Sequence, residues 1–71
     1  MITIMIVKND ASFISAQEKE LDLAFMRAKE LVAERKDDPV GISAVIFGSR
    51  GFALPLSYTV KEFEQEMAGR L

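Results

Sequence analysis

The apolar positions fall in short runs of two different periods, and these predict five elements in the order β-α-β-β-α. Ile2 to Val7 is rich in β-branched residues (Ile2, Thr3, Ile4, Ile6, Val7) and reads as a strand. Lys8-Asn9-Asp10 closes it with turn chemistry. From Ser15 to about Lys36 the spacing becomes helical, with Leu21, Ala24, Phe25, Ala28, Leu31 and Val32 recurring every three or four residues. Ser15-Ala16-Gln17-Glu18 matches a capping box, with Ser12 a competing cap, and Pro39 sets the stop.

Val40 to Phe47 reads as a second strand and Phe52 to Leu56 as a third. Gly48-Ser49-Arg50-Gly51 between them is a hairpin signal. With Ser49 and Arg50 at the tip, Phe47 would face Phe52 and Val45 would face Leu54. Pro55 cannot donate to a ladder, so the third strand is expected to be an edge or to end there. Thr59-Val60-Lys61-Glu62 is another capping box, with Tyr58 and Phe63 placed for a hydrophobic staple. Val60, Phe63, Met67 and Leu71 form the stripe of the helix that follows, and Gly69 is a candidate C-terminal cap.

The fold class implied is α+β: a three-stranded mixed sheet covered by one long and one short helix, in a single small domain of residues 1–71. The first two strands can run parallel, joined over one sheet face by the long helix.

This pattern contains more apolar surface than two helices easily cover. On a helical wheel Ile14, Leu21, Phe25, Ala28 and Val32 form the core stripe, while Leu23 and Met26 sit on the opposite side, three apart and adjacent on the surface. In the hairpin Val45, Phe47, Phe52 and Leu54 share one face, and Ile42, Ala44, Ile46 and Ala53 the other. A sheet with one wet face alternates apolar and polar residues; this one is apolar on both, so both call for cover. The expectation is a homodimer, with Leu23, Met26, Val45, Phe47, Phe52 and Leu54 as candidate interface residues.

Composition sharpens the point. The chain has 71 residues, of which 27 are Val, Ile, Leu, Met, Phe or Tyr. A domain this small buries only about 60% of its unfolded surface. With no Cys and no His, disulfides and the usual zinc sites are unavailable as staples. Either packing is very efficient or a partner supplies burial. Met1 to Val7 is too short for a signal-peptide core and no run approaches the ~20 residues of a membrane span, so no membrane association and a cytoplasmic location are expected.

The residue types exclude much chemistry. Ser–His and Cys–His catalysis are impossible without His. Nothing in the spacing of Ser12, Ser15, Ser43, Ser49 and Ser57 against the lysines suggests a Ser–Lys pair. Asp37-Asp38 reads as a helix exit, Glu62 as a capping residue, and Glu64 and Glu66 as a solvated face. No enzymatic activity and no cofactor are expected. Nucleic acid is a poor partner: Asn9 to Val40 has 5 basic and 8 acidic residues, a net of 5 − 8 = −3. The function expected is a small non-enzymatic protein-binding module (a regulator, inhibitor or accessory subunit). The alternative is a small-ligand or anion-binding module using Ser49, Arg50 and Gly51, where glycines would let backbone amides approach an anion. That tip is neither a P-loop nor a dinucleotide fingerprint, and its plain reading is a tight turn.

Overall fold

The computed structural model describes residues 1–49 and 56–70. The chain is α+β, with two helices on a sheet of four antiparallel strands rather than three mixed ones. The elements are β1 (Ile2–Lys8), β2 (Phe13–Glu18), α1 (Leu21–Glu34), β3 (Ile42–Gly48), β4 (Leu56–Thr59) and α2 (Val60–Arg70). The strand order is β2-β1-β3-β4. Two ββα units therefore meet through their first strands, and β1 and β3 pair antiparallel, not parallel.

The extra strand is β2, in the segment expected to begin the long helix. Ser15-Ala16-Gln17-Glu18 is not a capping box: these residues pair with Met5, Ile4, Thr3 and Ile2. Pairing satisfies their backbone groups against β1 and turns Ile14 and Ala16 onto the core. Ile14 thus belongs to the sheet, not to the helical stripe. The helix starts at Leu21 after Glu20, whose extended backbone begins the ladder but whose side chain makes no cap hydrogen bond. Ser12 is no cap either; its amide and hydroxyl both donate to Asp10 Oδ1, fixing the turn between β1 and β2.

That turn is a three-residue hairpin loop. Ala11 N–H donates to Lys8 C=O (3.0 Å) and Lys8 N–H to Ser12 C=O (2.8 Å). Closing it requires a left-handed residue, and Ala11 takes that role at φ 69°. Gly or Asn is the usual occupant, because a Cβ there crowds the following carbonyl.

The second half follows its sequence more closely. Thr59 N–H donates to Glu62 Oε1 (2.9 Å) and Glu62 N–H to Thr59 Oγ1 (3.2 Å), the reciprocal capping box. Tyr58 and Phe63 meet edge to face with ring centroids 6.3 Å apart, the staple. The helix runs through Gly69 to Arg70, so Gly69 lies in its last turn and is not its cap. The β3–β4 register pairs Phe47 with Leu56 and Val45 with Tyr58. Phe47 and Val45 are therefore opposite Leu56 and Tyr58, not Phe52 and Leu54 as expected. Arg50 to Pro55 and Leu71 lie outside the described residues.

Both helices lie on the same face of the sheet. Ile2, Ile4, Ile6, Val45 and Phe47 point to that face and are buried against Phe25, Ala28 and Leu31 of α1 and Phe63 and Met67 of α2. Phe25, Phe47, Tyr58 and Phe63 form a four-ring cluster, each pair of centroids 4.5 to 6.3 Å apart. Such separations are those of favourable aromatic pairs. A bulge at Ser43, between the pairs Val7–Ala44 and Lys8–Ile42, breaks the alternation of β3 and turns Ile42 back onto the core.

Two expected outcomes test this account. Ala11→Gly removes about 1–2 kcal/mol of left-handed crowding at the cost of roughly 0.5–1 kcal/mol of chain entropy, for a net gain of about 0.5 kcal/mol. Urea denaturation should show a higher midpoint, and a lower one would refute the turn. The second outcome concerns Asp38. Its carboxylate is held below the ordinary range by the Lys8 ammonium at 2.8 Å and by the Val40 amide at 2.9 Å. A depressed carboxylate stabilises the fold above its unfolded pKa and loses that contribution as pH falls through its folded pKa. Stability should therefore be flat near neutrality and fall below about pH 4, with a shallower fall in Asp38→Asn.

Candidate interaction surfaces

With both helices on one face, the other face of the sheet has no cover among the described residues. It is built by alternation: Thr3, Met5 and Val7 from β1, Phe13, Ser15 and Gln17 from β2, Ala44 and Ile46 from β3, Ser57 and Thr59 from β4. The register sets Val7 between Phe13 and Ala44, and Met5 between Ser15 and Ile46. An apolar band thus crosses the sheet. Phe13 is 58% exposed and Met1, at the end of β1, 64%. None of these side chains carries a charge, in a chain where 28% of residues are charged.

The second surface is the trough between the helices. They run antiparallel: Arg70 in the last turn of α2 donates to Asp22 in the first turn of α1 at 3.2 Å, and its guanidinium carbon lies 3.9 Å above the centre of the Phe25 ring. At the other end Val32 and Lys36 face Val60 and Glu64 across a cavity of about 550 Å³ floored by Ile42, Phe63 and Met67. A second cavity of about 560 Å³ continues it towards Asp22 and Arg70, and Lys29, Ala33 and Met67 line both. The trough exists because the phenyl rings of Phe25 and Phe63, stacked at 6.0 Å, hold the two helices apart over the sheet.

The expected interface residues divide. Leu23 (46% exposed) and Met26 (58% exposed) are on the surface of α1, and Met26 stands at the wall of the trough. Val45 and Phe47 are fully buried: their face is the one that both helices cover, so they are core and not interface. Phe52 and Leu54 lie outside the described residues. The free sheet face is the one carrying Ala44 and Ile46. Phe13 was missed because its segment was read as the approach to a helix.

At the hairpin, Ser49 Oγ donates to Met1 C=O at 3.0 Å, a bond that ties the end of β3 to the start of β1. Arg50 and Gly51 lie outside the described residues. The remaining carboxylate shifts have local structural causes: Asp10 is lowered by the Ser12 hydroxyl and amide, Glu62 by the Thr59 amide and hydroxyl. Among the described residues no three acidic side chains converge as a metal site, and no helix is long and apolar enough to cross a membrane. No protein-family model matches the chain, and neither does any curated protein or solved structure.

Because Leu23 and Met26 contribute little to the core, Leu23→Glu and Met26→Glu should each change the unfolding free energy by no more than about 0.5 kcal/mol. Thermal denaturation followed by circular dichroism checks this; unfolding of either variant would return those residues to the core.

Proposed function

We propose that this chain is a small non-enzymatic protein-binding module that works as a homodimer, its two copies packed face to face through their open sheets. The observation that carries the proposal is the apolar, uncharged face of Met5, Val7, Phe13, Ala44 and Ile46, which neither helix covers and on which Phe13 is exposed and the other four half-buried. A second copy fits this face better than a stranger does. A surface without charge meets its own image without like-charge repulsion, and a two-fold contact is by nature self-complementary. Aligned sheet-on-sheet packing about 10 Å apart is a standard geometry for such faces.

The area sets the strength. Four strands about 4.8 Å apart and roughly 20 Å long give a face of about 400 Å² in projection. A typical stable interface covers about 800 Å² per partner, so the contact sits at the small end. A weak dimer whose assembly depends on its own concentration is the expected result.

Light scattering after size exclusion, from a few to several hundred micromolar, should show a mass rising from 7.9 towards twice that value. Ile46→Lys buries a charge at the centre of the contact and should hold the chain monomeric throughout. Phe13→Ser, on an exposed edge position, should weaken the dimer with the fold intact by circular dichroism. A wild-type chain that stays at 7.9 kDa across the whole range would remove the proposal.

A further inference from the structure

We infer that the trough between α1 and α2 receives an amphipathic helix of a different protein, one whose flank along α1 carries acidic residues seven apart. The inference rests on the protein-binding reading and names the kind of partner.

Three features set the occupant's chemistry. The floor is apolar, from Ile42, Phe63 and Met67, so the occupant presents an apolar stripe. The trough runs along the side of α1 from Asp22 to Glu34 and on past the turn at Lys36, about 20 Å in all, the helical part at 1.5 Å per residue. That is the length of a helix of about 14 residues lying lengthwise, the arrangement in which anchors spaced three, four and seven apart enter a groove. Pockets for small molecules enclose most of their ligand, whereas this trough is open along its top and suits an occupant that keeps one face in water.

The charges supply direction. Lys29 stands on α1 and Lys36, seven residues on, in the turn that follows the end of α1 at Glu34; both line the trough, and among the described residues neither has an acidic partner within ion-pair distance. Most other charges at the trough are already engaged: Arg35 with Glu34, Asp38 with Lys8, and Arg70 with Asp22 and Glu66. On the α2 lip Glu64 makes no ion pair among the described residues. A helix with two carboxylates seven apart on one flank meets both lysines at once and leaves its opposite flank for Glu64. Met26 and Met67, on the walls, adapt their unbranched side chains to whatever apolar anchor arrives. A second copy is the poorer occupant: its Phe63, Met67, Phe25, Ala28 and Leu31 are spent in its own core, and although its Leu23 and Met26 are exposed, its helical carboxylates (Asp22, Glu30 and Glu34 on α1; Glu62, Glu64 and Glu66 on α2) include no pair seven apart.

The test uses a fluorescent synthetic 16-residue helical peptide with leucines at helical spacing and two glutamates seven apart on one flank, and a twin with lysines in their place. Anisotropy titration should show the acidic peptide binding at least tenfold tighter than the basic one. The variant Lys29→Glu/Lys36→Glu, changed only at surface positions, should reverse that order. No binding by either peptide, equal binding by both, or an order that the double variant leaves unchanged would each overturn the inference.

The four methionines locate the site. With ¹³C-labelled methionine methyls, the acidic peptide should shift Met26 and Met67 and leave Met5 in place. A shift at Met5 alone would put the peptide on the sheet face and overturn the trough. Performing the titration on Ile46→Lys separates the two proposals, since peptide binding by that monomer supports the trough whatever the outcome for the dimer.

Discussion

Everything in this fold depends on the contact of four aromatic rings on one side of the sheet. Phe47 comes from β3, Tyr58 from β4, Phe25 from α1 and Phe63 from α2, so one cluster joins both helices to the two strands of the second half. In a chain with no disulfide, rings of this size are the most effective way to remove apolar area from water with few residues. The cluster also imposes a constraint. Once Phe25 and Phe63 share one pocket, both helices are committed to the same face.

That commitment creates both surfaces of interest. Among the described residues nothing then covers the opposite face of the sheet, where β-propensity and cross-strand packing favour residues such as Val7, Thr3 and Ile46. Here they stay apolar or neutral. On the helical side, the stacked rings keep α1 and α2 apart, and a trough opens between them where closely packed helices would have left none. Arg70 closes one end of it by bridging Asp22 and covering Phe25. A single packing decision thus accounts for both an open sheet face and a divided helical layer.

The two halves of the chain differ in how openly they state their structure. The second half is explicit: Thr59 and Glu62 form the capping box their spacing implies, and Tyr58 staples Phe63. The first half conceals a strand. Ile14 and Ala16 alternate with Ser15 and Gln17, a period of two, but Ser15 and Glu18 also satisfy the spacing of a cap, and the helical stripe follows within a few residues. The hairpin that would have decided the matter has Ala11 where a glycine would have announced a left-handed turn. A local cap competes with a strand only until pairing with β1 is available; the ladder then satisfies every second backbone group and buries two apolar side chains besides.

The sequence by itself determined the class, the two helices, the strands β1 and β3, and the surplus of apolar surface, because periodicity and caps are local and written within a few residues of where they act. It also placed Leu23 and Met26 outside the core, since a helical wheel needs only the sequence. Which sheet face is bare was decided by tertiary structure alone. Val45 and Ile46 are adjacent, both apolar and both β-branched, and nothing local tells them apart. Only the side on which the aromatic rings meet makes one of them core and leaves the other at the surface, because burial is a property of what packs against a residue and not of the residue.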